Sequence, residues 1–381
     1  MKVAIIAPGL PTKGGAARFT WEFSEFLTSQ NDDVTIISLY SNRELFKEKD
    51  NLKLIDVADE KSMTQSIKFW RDLSKTRRKI KQLIEKLNPD IVLFMNFPAT
   101  LWADKFGRIP VLCYPQDINL LYTNTYIKNL SPLKYFFWYF FRIFIRIMDI
   151  KRWESFDEVI CNSEYSRKLI TSKYNVPTKV IHLGTRSNIF KPVGKKKNAV
   201  LCIAAQKAQR SDFLIKSISD LLKKRKDFEI WIVGSRGIHD NELKKLVKSE
   251  NISKWVKFFG IVSDEKLIEL YSEALVTVHL VRQPPFGMIV TESMACGTPV
   301  IGCIPGGTEE TIKHDETGFW IKEDDSIQLE KYVSKILDNP EMSITMGANG
   351  RKRVEERFEM NKKNQEFRDL ILNWIEKKAN S

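Results

Sequence analysis

His279–Ile321 reads HLVRQPPFGMIVTESMACGTPVIGCIPGGTEETIKHDETGFWI. A β-rich run ends at Leu280, a Pro-Pro-Phe-Gly turn follows, and Gly287 opens a helix whose first amide N–H groups have no intrahelical partners. Such a helix end suits a phosphate. Gly287 lets the backbone approach a pyrophosphate closely, and Glu292, more than a turn into the helix, falls short of the phosphates but within reach of a ribose. A carboxylate accepting from both ribose hydroxyls is a familiar bidentate arrangement. Gly297 then caps the helix, Pro299 cannot continue it, and PVIGC starts the next strand. The same spacing also fits an ordinary strand-helix-strand unit in which the glycine is only punctuation.

Outward from this segment the pattern repeats. VAIIA, VTIISL, LKLIDV, DIVLFM, VLCY, EVICN and KVIHL read as strands, with helices near Gly15–Thr28, Thr64–Leu87, Leu133–Trp153 and Glu164–Tyr174. A second series follows: AVLCIAA, EIWIVGS, KFFGI, LVTVHL, TPVIGC and TGFWI, with helices near Ser211–Arg225, Asn241–Ser249, Asp264–Ala274 and Gly287–Ala295. Strands alternating with helices of this length predict an α/β fold of two tandem Rossmann-like, doubly wound parallel sheets facing across a cleft. The join lies in the polar RSNIFKPVGKKKN. The predicted domains are 1–187, 188–359, and a C-terminal helix within 360–381 that packs back toward the first domain.

The length of 381 residues suits two such domains, and 43% hydrophobic with 29% charged residues is ordinary globular composition. Five cysteines, odd in number and mostly inside apolar runs, give neither a disulfide framework nor a zinc pattern, so a reducing cytoplasm fits best. MKVAIIAPGL is too short for the apolar core of a secretory signal and reads as a first strand. No run of 18 uncharged apolar residues occurs, so membrane contact must be peripheral. A net charge of +13 favours an acidic partner.

FGMIVTESMACGTPVIG, followed by GGTEETI and the TGF turn, resembles the donor-binding signature of the retaining nucleotide-sugar glycosyltransferases of the GT-B fold. That large family, glycosyl transferases group 1, includes sucrose synthase-like enzymes and many mannosyl- and glucosyltransferases. Similar features occur in PTKGGAARFTWEFSEFL, NSEYSRKLI, VIHLGTRSNIFKP and FFGIVSDEKLIELYSEA, so the resemblance runs along essentially the whole chain. It implies that Glu292 holds the donor ribose and that the amides of Phe286, Gly287, Met288 and Ile289 face donor sugar and phosphates. Gly234 joins the donor side, and the loop at Gly14 and Gly15 reaches the cleft from the other domain.

Three positions depart from the family pattern. Where a first glutamate contacts the donor sugar the chain has Pro284, which offers neither side-chain acceptor nor backbone donor. The position of the cleft histidine falls at Gln116, which cannot shuttle a proton, although Asp117 beside it is a candidate base or a loop cap. In AAQKAQRSDFLIKS neither basic pair of the family is intact. Lys207 and Arg210 are the cations placed to neutralise a diphosphate leaving group, or else solvated loop charges.

The positive charge is concentrated in two helices. Residues 64–88 hold eight basic and two acidic residues, with Phe69, Leu73, Ile80 and Ile84 opposite Lys68, Arg71, Lys75, Arg78, Lys79 and Lys86. Residues 131–152 hold five and one. There a helical wheel sets Phe136, Phe137, Phe140, Phe141, Ile143, Phe144, Ile147 and Met148 on one face. Lys134, Arg142, Arg146, Asp149 and Arg152 lie on the other, with Tyr135, Trp138, Tyr139 and Trp153 among them. A wide apolar face opposite arginines suits an in-plane interfacial helix touching an anionic membrane surface through Phe140, Phe144, Arg142 and Arg146. It also suits a core helix.

These features predict an enzyme moving a sugar from a nucleoside-diphosphate sugar to a glycan acceptor, lipid-linked, at the cytoplasmic face of a membrane. Retention of configuration is what the resemblance implies. No cofactor and no metal are expected, since no Asp-x-Asp motif is placed to bridge a diphosphate to a divalent ion, and the basic helices carry no nucleic-acid recognition motif. The alternative is a catalytically degenerate sugar-nucleotide-binding or scaffold protein of the same fold; an epimerase or phosphorylase on the same plan is a further rival.

Overall fold

A computed structural model describes residues 1–11, 15–58, 67–116 and 132–380, with the side chains of residues 67 and 132–142 outside the description. The chain forms two compact units, residues 1–181 with 364–381, and residues 182–363.

Short β-branched runs buried on both faces make a parallel sheet in each unit. In the first unit β1 (Lys2–Ala7), β2 (Asp33–Ser38), β3 (Leu52–Asp56), β4 (Ile91–Met95), β5 (Val111–Tyr114), β6 (Glu158–Cys161) and β7 (Thr178–Val180) are ordered β3-β2-β1-β4-β5-β6-β7. In the second, β8 (Lys197–Ile203), β9 (Glu229–Val233), β10 (Val256–Gly260), β11 (Ala274–His279), β12 (Val300–Ile304) and β13 (Gly318–Lys322) are ordered β10-β9-β8-β11-β12-β13. β11 is buried along its whole length, with Thr277 in register with Leu201 of β8 and Val300 of β12.

The order matters for function. In each sheet consecutive strands run outward in one direction and then reverse, between β1 and β4 and between β8 and β11. Ligands of open α/β sheets bind at the carboxyl ends of the strands beside such a reversal.

Helices α1 (Gly15–Ser29), α2 (Ile67–Leu87), α3 (Pro132–Trp153) and α4 (Glu164–Thr171) belong to the first unit. The second holds α5 (Ser211–Lys224), α6 (Gly237–Ser249), α7 (Asp264–Glu273), α8 (Met288–Ala295), the short α9 (Thr308–Thr311), α10 (Ser326–Asp338) and α11 (Pro340–Arg357). α10 packs beside α5, and α11 beside α8. Helix α6 starts a turn earlier than its pattern suggests. Its apolar periodicity begins only at Leu243, and its first turn leaves Ile238 to solvent.

The second unit begins at His182, ahead of the polar join, because Thr185 is tied to it by backbone bonds: Thr185 N–H donates to Phe358 O (2.7 Å), and Met360 N–H to Thr185 O (3.1 Å). Helix α12 (Met360–Ala379) carries the chain back to the first unit. There Phe367 stacks on Phe23 at 4.6 Å, Arg368 pairs with Asp32 (2.8 Å), and Trp374 bonds Glu158 (2.8 Å). All five cysteines are buried and free.

Candidate functional site

The loops that follow β8 and β11 flank the reversal in the second sheet, and they carry the residues that the sequence singles out. Gly287 has φ +94°, in the left-handed region that favours glycine. A Cβ there would stand 3.3 Å from Val290 Cγ2 and 3.6 Å from His279 Nε2. Bonding within α8 starts with Val290 N–H donating to Gly287 O (2.9 Å), so the helix ladder supplies no acceptor for the amides of Met288 and Ile289. Both residues are half-buried, whereas Phe286 is fully buried against Phe358 (5.7 Å) and contributes only backbone to any ligand. Gly297, at φ +73°, ends the helix, with its N–H on Met294 O and that of Thr298 on Ser293 O.

The Pro284–Phe286 turn rests on Gly306 and Gly307. A Cβ on Gly307 would come within 2.4 Å of Pro285 O, and the Gly307 N–H donates to Pro284 O (2.7 Å). The two halves of the signature are therefore one packed element, and Pro284 is buried within it. Arg353 reinforces the second half by donating to Thr311 O (2.9 Å) and Glu310 O (2.6 Å), while His182 meets the Glu310 carboxylate at 2.9 Å.

Glu292 lies one turn and more behind Gly287 and is 7% exposed. Its carboxylate accepts from the hydroxyl of the fully buried Tyr271 on α7 (3.3 Å), and Thr291 beside it accepts from Thr185 Oγ1 (2.7 Å). The sequence did not single out Tyr271, which sits in an ordinary helical pattern. His279 was also missed. It is buried at the end of β11, its Nε2 has no hydrogen-bond partner among the described residues, and burial lowers its pKa to about 4, so the imidazole is neutral at physiological pH.

The two cations after β8 differ. Lys207 is exposed, in a single 3₁₀ turn, with Glu242 at 3.5 Å. Arg210 is mostly covered; it has φ +57°, places its guanidinium 4.7 Å from the Phe213 ring centre, and bonds the Asp324 carboxylate. Gly234, at φ +89° after β9, lies against that loop, since a Cβ on it would meet Ala205 at 3.3 Å.

In the first unit, Gly15 opens α1 beside the reversal between β1 and β4, and a Cβ on it would meet no atom of the described residues within 4 Å. Gln116 follows β5 by two residues, with its N–H on Asn96 Oδ1 (2.6 Å) and its carbonyl accepting from Asn162 Nδ2 (3.1 Å). Its Nε2 is buried with no hydrogen-bond partner among the described residues. Gly14 and Asp117 lie outside the described residues, as do the side chains of Phe140 and Arg142.

Helix α3 corrects part of the wheel. Ile145, Asp149 and Trp153, one turn apart each, form the buried face, although Asp149 and Trp153 were assigned to the charged side. Asp149 accepts from Thr100 Oγ1 (3.1 Å) and from Tyr174 OH, and Trp153 stacks on Tyr174 at 3.7 Å. Desolvation pushes the Asp149 carboxyl up to about 6, against the pull of these hydrogen bonds. The apolar face turns outward: Phe144 is 58% and Ile147 55% exposed, with Ile143 and Ile150 beside them and Arg146 half-buried. On α2, Phe69, Ile80 and Ile84 are buried, and Arg71, Lys75, Arg78, Lys79 and Lys86 are exposed. No helix among the described residues is long and apolar enough to cross a membrane.

Residues 185–353 match the family model "Glycosyl transferases group 1", and residues 13–186 match "Glycosyltransferase Family 4". Among curated relatives, human alpha-1,3/1,6-mannosyltransferase ALG2 is 33% identical over 120 residues, which is 32% of this chain and only 29% of that protein. An uncharacterized glycosyltransferase of Haemophilus influenzae is 22% identical over 92% of this chain and 94% of its own length. The fold superposes on sucrose-phosphate synthase from Thermosynechococcus elongatus with a TM-score of 0.83 over 100% of both chains at 19% identity. Anabaena HepE in complex with UDP-glucose gives 0.75 over 98% of this chain and 100% of its own at 16%. Two family models that meet at residues 185–186, on a fold shared with these structures over its full length, lead to one conclusion: the chain belongs to the group 1 glycosyltransferases and has their two-domain Rossmann-like GT-B fold.

Proposed function

We propose that this protein transfers a sugar from a nucleoside-diphosphate sugar to a glycan acceptor, lipid-linked, at the cytoplasmic surface of a membrane, with retention of configuration. The observation that carries the reading is Gly287 at the strand reversal, with the open first turn of α8 above it and Glu292 held by Tyr271 behind it. Helix amides suit the diphosphate, and the buried carboxylate suits the ribose hydroxyls. Departure of the sugar leaves charge on the diphosphate, and interactions that strengthen as this charge grows lower the barrier. Arg210 and Lys207 supply them, and Asp117 is the proposed base on the acceptor side. The donor is itself the nucleotide substrate, so the proposal includes no further cofactor and no metal.

A lipid-linked acceptor is supported by the outward apolar face of α3 and the basic face of α2. Each basic residue near an anionic surface contributes on the order of 1 kcal/mol. A relative from Corynebacterium glutamicum, 31% identical over 38% of this chain, is named as a GDP-mannose-dependent mannosyltransferase acting on a phosphatidylinositol monomannoside.

The test is a screen of sugar nucleotides with the purified chain and lipid-linked acceptors, repeated with Glu292→Gln. Transfer by the wild type, abolished in a folded Glu292→Gln variant, is the expected result. Full activity in that variant would end the donor-site assignment. Buried Pro284 and the neutral amide of Gln116 favour a second reading, a sugar-nucleotide-binding protein without chemistry, which predicts nucleotide binding and no turnover with any donor.

A further inference from the structure

Three charged loops meet at the carboxyl end of the second sheet. Arg210 follows β8, Arg282 follows β11 and Asp324 follows β13. Both guanidiniums bond the same carboxylate, Arg210 Nη1 to Oδ1 and Arg282 Nη2 to Oδ2 of Asp324. Glu323 adds a second carboxylate 3.9 Å from Arg282 Nε, and its Oε1 is buried with no hydrogen-bond partner among the described residues. All four charges lie within electrostatic reach of Cys303 at the end of β12. The Cys303 carbonyl accepts from Thr308 Oγ1, and the Thr308 methyl stands 3.7 Å from where a Cβ on Gly287 would be. The cluster is thus joined to the start of α8 through one side chain, and Arg282 is on the loop that leads into Gly287.

Asp324 sits in this cluster against a local preference. Its φ is +62° and that of Arg210 is +57°, both in the left-handed region that residues other than glycine enter at a cost. A carboxylate gripped by two arginines has the charge and geometry of a phosphate edge. The side chains of Asp324 and Arg282 are about half exposed, at 47% and 49%, so the contact can exchange for a ligand without disturbing the core. Exposed pairs of this kind are weak, whereas arginine-phosphate pairs are stronger and carry more charge.

Resting on the nucleotide-diphosphate reading above, we propose that Arg210 and Arg282 form a clamp for the diphosphate of the donor, and that Asp324 is an internal competitor occupying the clamp until the donor binds. Arg282 thereby becomes a donor-binding residue, and Asp324 sets the affinity. Binding transfers the two guanidiniums from Asp324 to phosphate oxygens and releases the aspartate to solvent.

The experiment is calorimetric titration of the full chain and of Asp324→Asn, Asp324→Gly and Arg282→Gln with UDP and GDP. UMP and GMP serve as single-phosphate controls, at about 50 and about 300 mM salt. Asn and Gly both tolerate left-handed backbone, so these Asp324 variants keep the fold, which a thermal midpoint checks. The Asp324 variants are expected to bind the preferred diphosphate about two- to fivefold tighter, with the gain shrinking at high salt. Arg282→Gln binds about fivefold weaker, and the monophosphates change less in every variant. Wild-type affinity in folded Asp324→Asn and Asp324→Gly overturns the competitor and leaves the nucleotide site standing. Failure of the wild type to bind either diphosphate overturns the donor reading, and this inference with it.

Discussion

At the scale of single residues, Gly287 makes the strongest demand on the sequence. Alanine there must take a left-handed conformation, which costs about 1–2 kcal/mol, and must put its Cβ 3.3 Å from Val290. Gly287→Ala is therefore expected to lower the thermal midpoint and to weaken nucleoside-diphosphate binding on the order of tenfold, as the first turn of α8 tilts. Differential scanning fluorimetry with and without UDP or GDP reads both effects; unchanged stabilisation by the nucleotide would detach the helix start from binding. Gly287 and Glu292 were legible because a turn, a helix start and a carboxylate one turn later are local facts of spacing. Tyr271, His279, Arg282 and Asp324 were not. Their contacts come from loops and helices that only the sheet order brings together, and no spacing along the chain encodes that proximity.

At the scale of the element, α3 shows what periodicity can and cannot reveal. The apolar and charged faces were readable only in part from a 3.6-residue repeat, and which row turns inward was not. The inner face is the row Ile145, Asp149 and Trp153, and its carboxylate is tolerated because Thr100 and Tyr174, distant in sequence, donate to it. The outer face, where Phe144 and Ile147 are exposed, is the one on which the proposed membrane contact rests. Replacing Phe144 and Ile147 together by glutamate should leave the thermal midpoint nearly unchanged, since exposed substitutions away from special contacts cost within about 0.5 kcal/mol. Co-sedimentation with anionic liposomes should fall at least about tenfold, because two large apolar side chains lose their burial and negative charge is added. Undiminished sedimentation of the folded variant would assign membrane contact elsewhere or nowhere.

At the scale of the whole molecule, the tandem of doubly wound sheets was legible, since buried β-branched runs alternating with helices leave few parallel topologies. The two units nevertheless each hold a buried group whose response to acid opposes the other's, which no composition could disclose. In the first, burial raises the Asp149 carboxyl to about 6 from an ordinary 3.8. The folded state then holds the proton more tightly than the unfolded one, so this contribution to stability is full below about 3.8 and is lost as pH rises through about 6. In the second, burial lowers His279 to about 4 from 6.5. Its contribution is full above 6.5 and is lost as pH falls through about 4. Each group acts with a limiting slope of about 1.4 kcal/mol per pH unit within its window. Between pH 6 and 4, acidification should therefore favour the Asp149 site and weaken the His279 site. Hydrogen exchange, corrected for intrinsic rates and resolved by peptide, can follow β5 and β11 separately across this range. Asp149→Asn should remove the rise in protection around β5, and His279→Gln the fall around β11, each without altering the other unit's slope. If both wild-type slopes have the same sign, or survive these substitutions, other carboxylates set the acid response and the two buried groups are spectators.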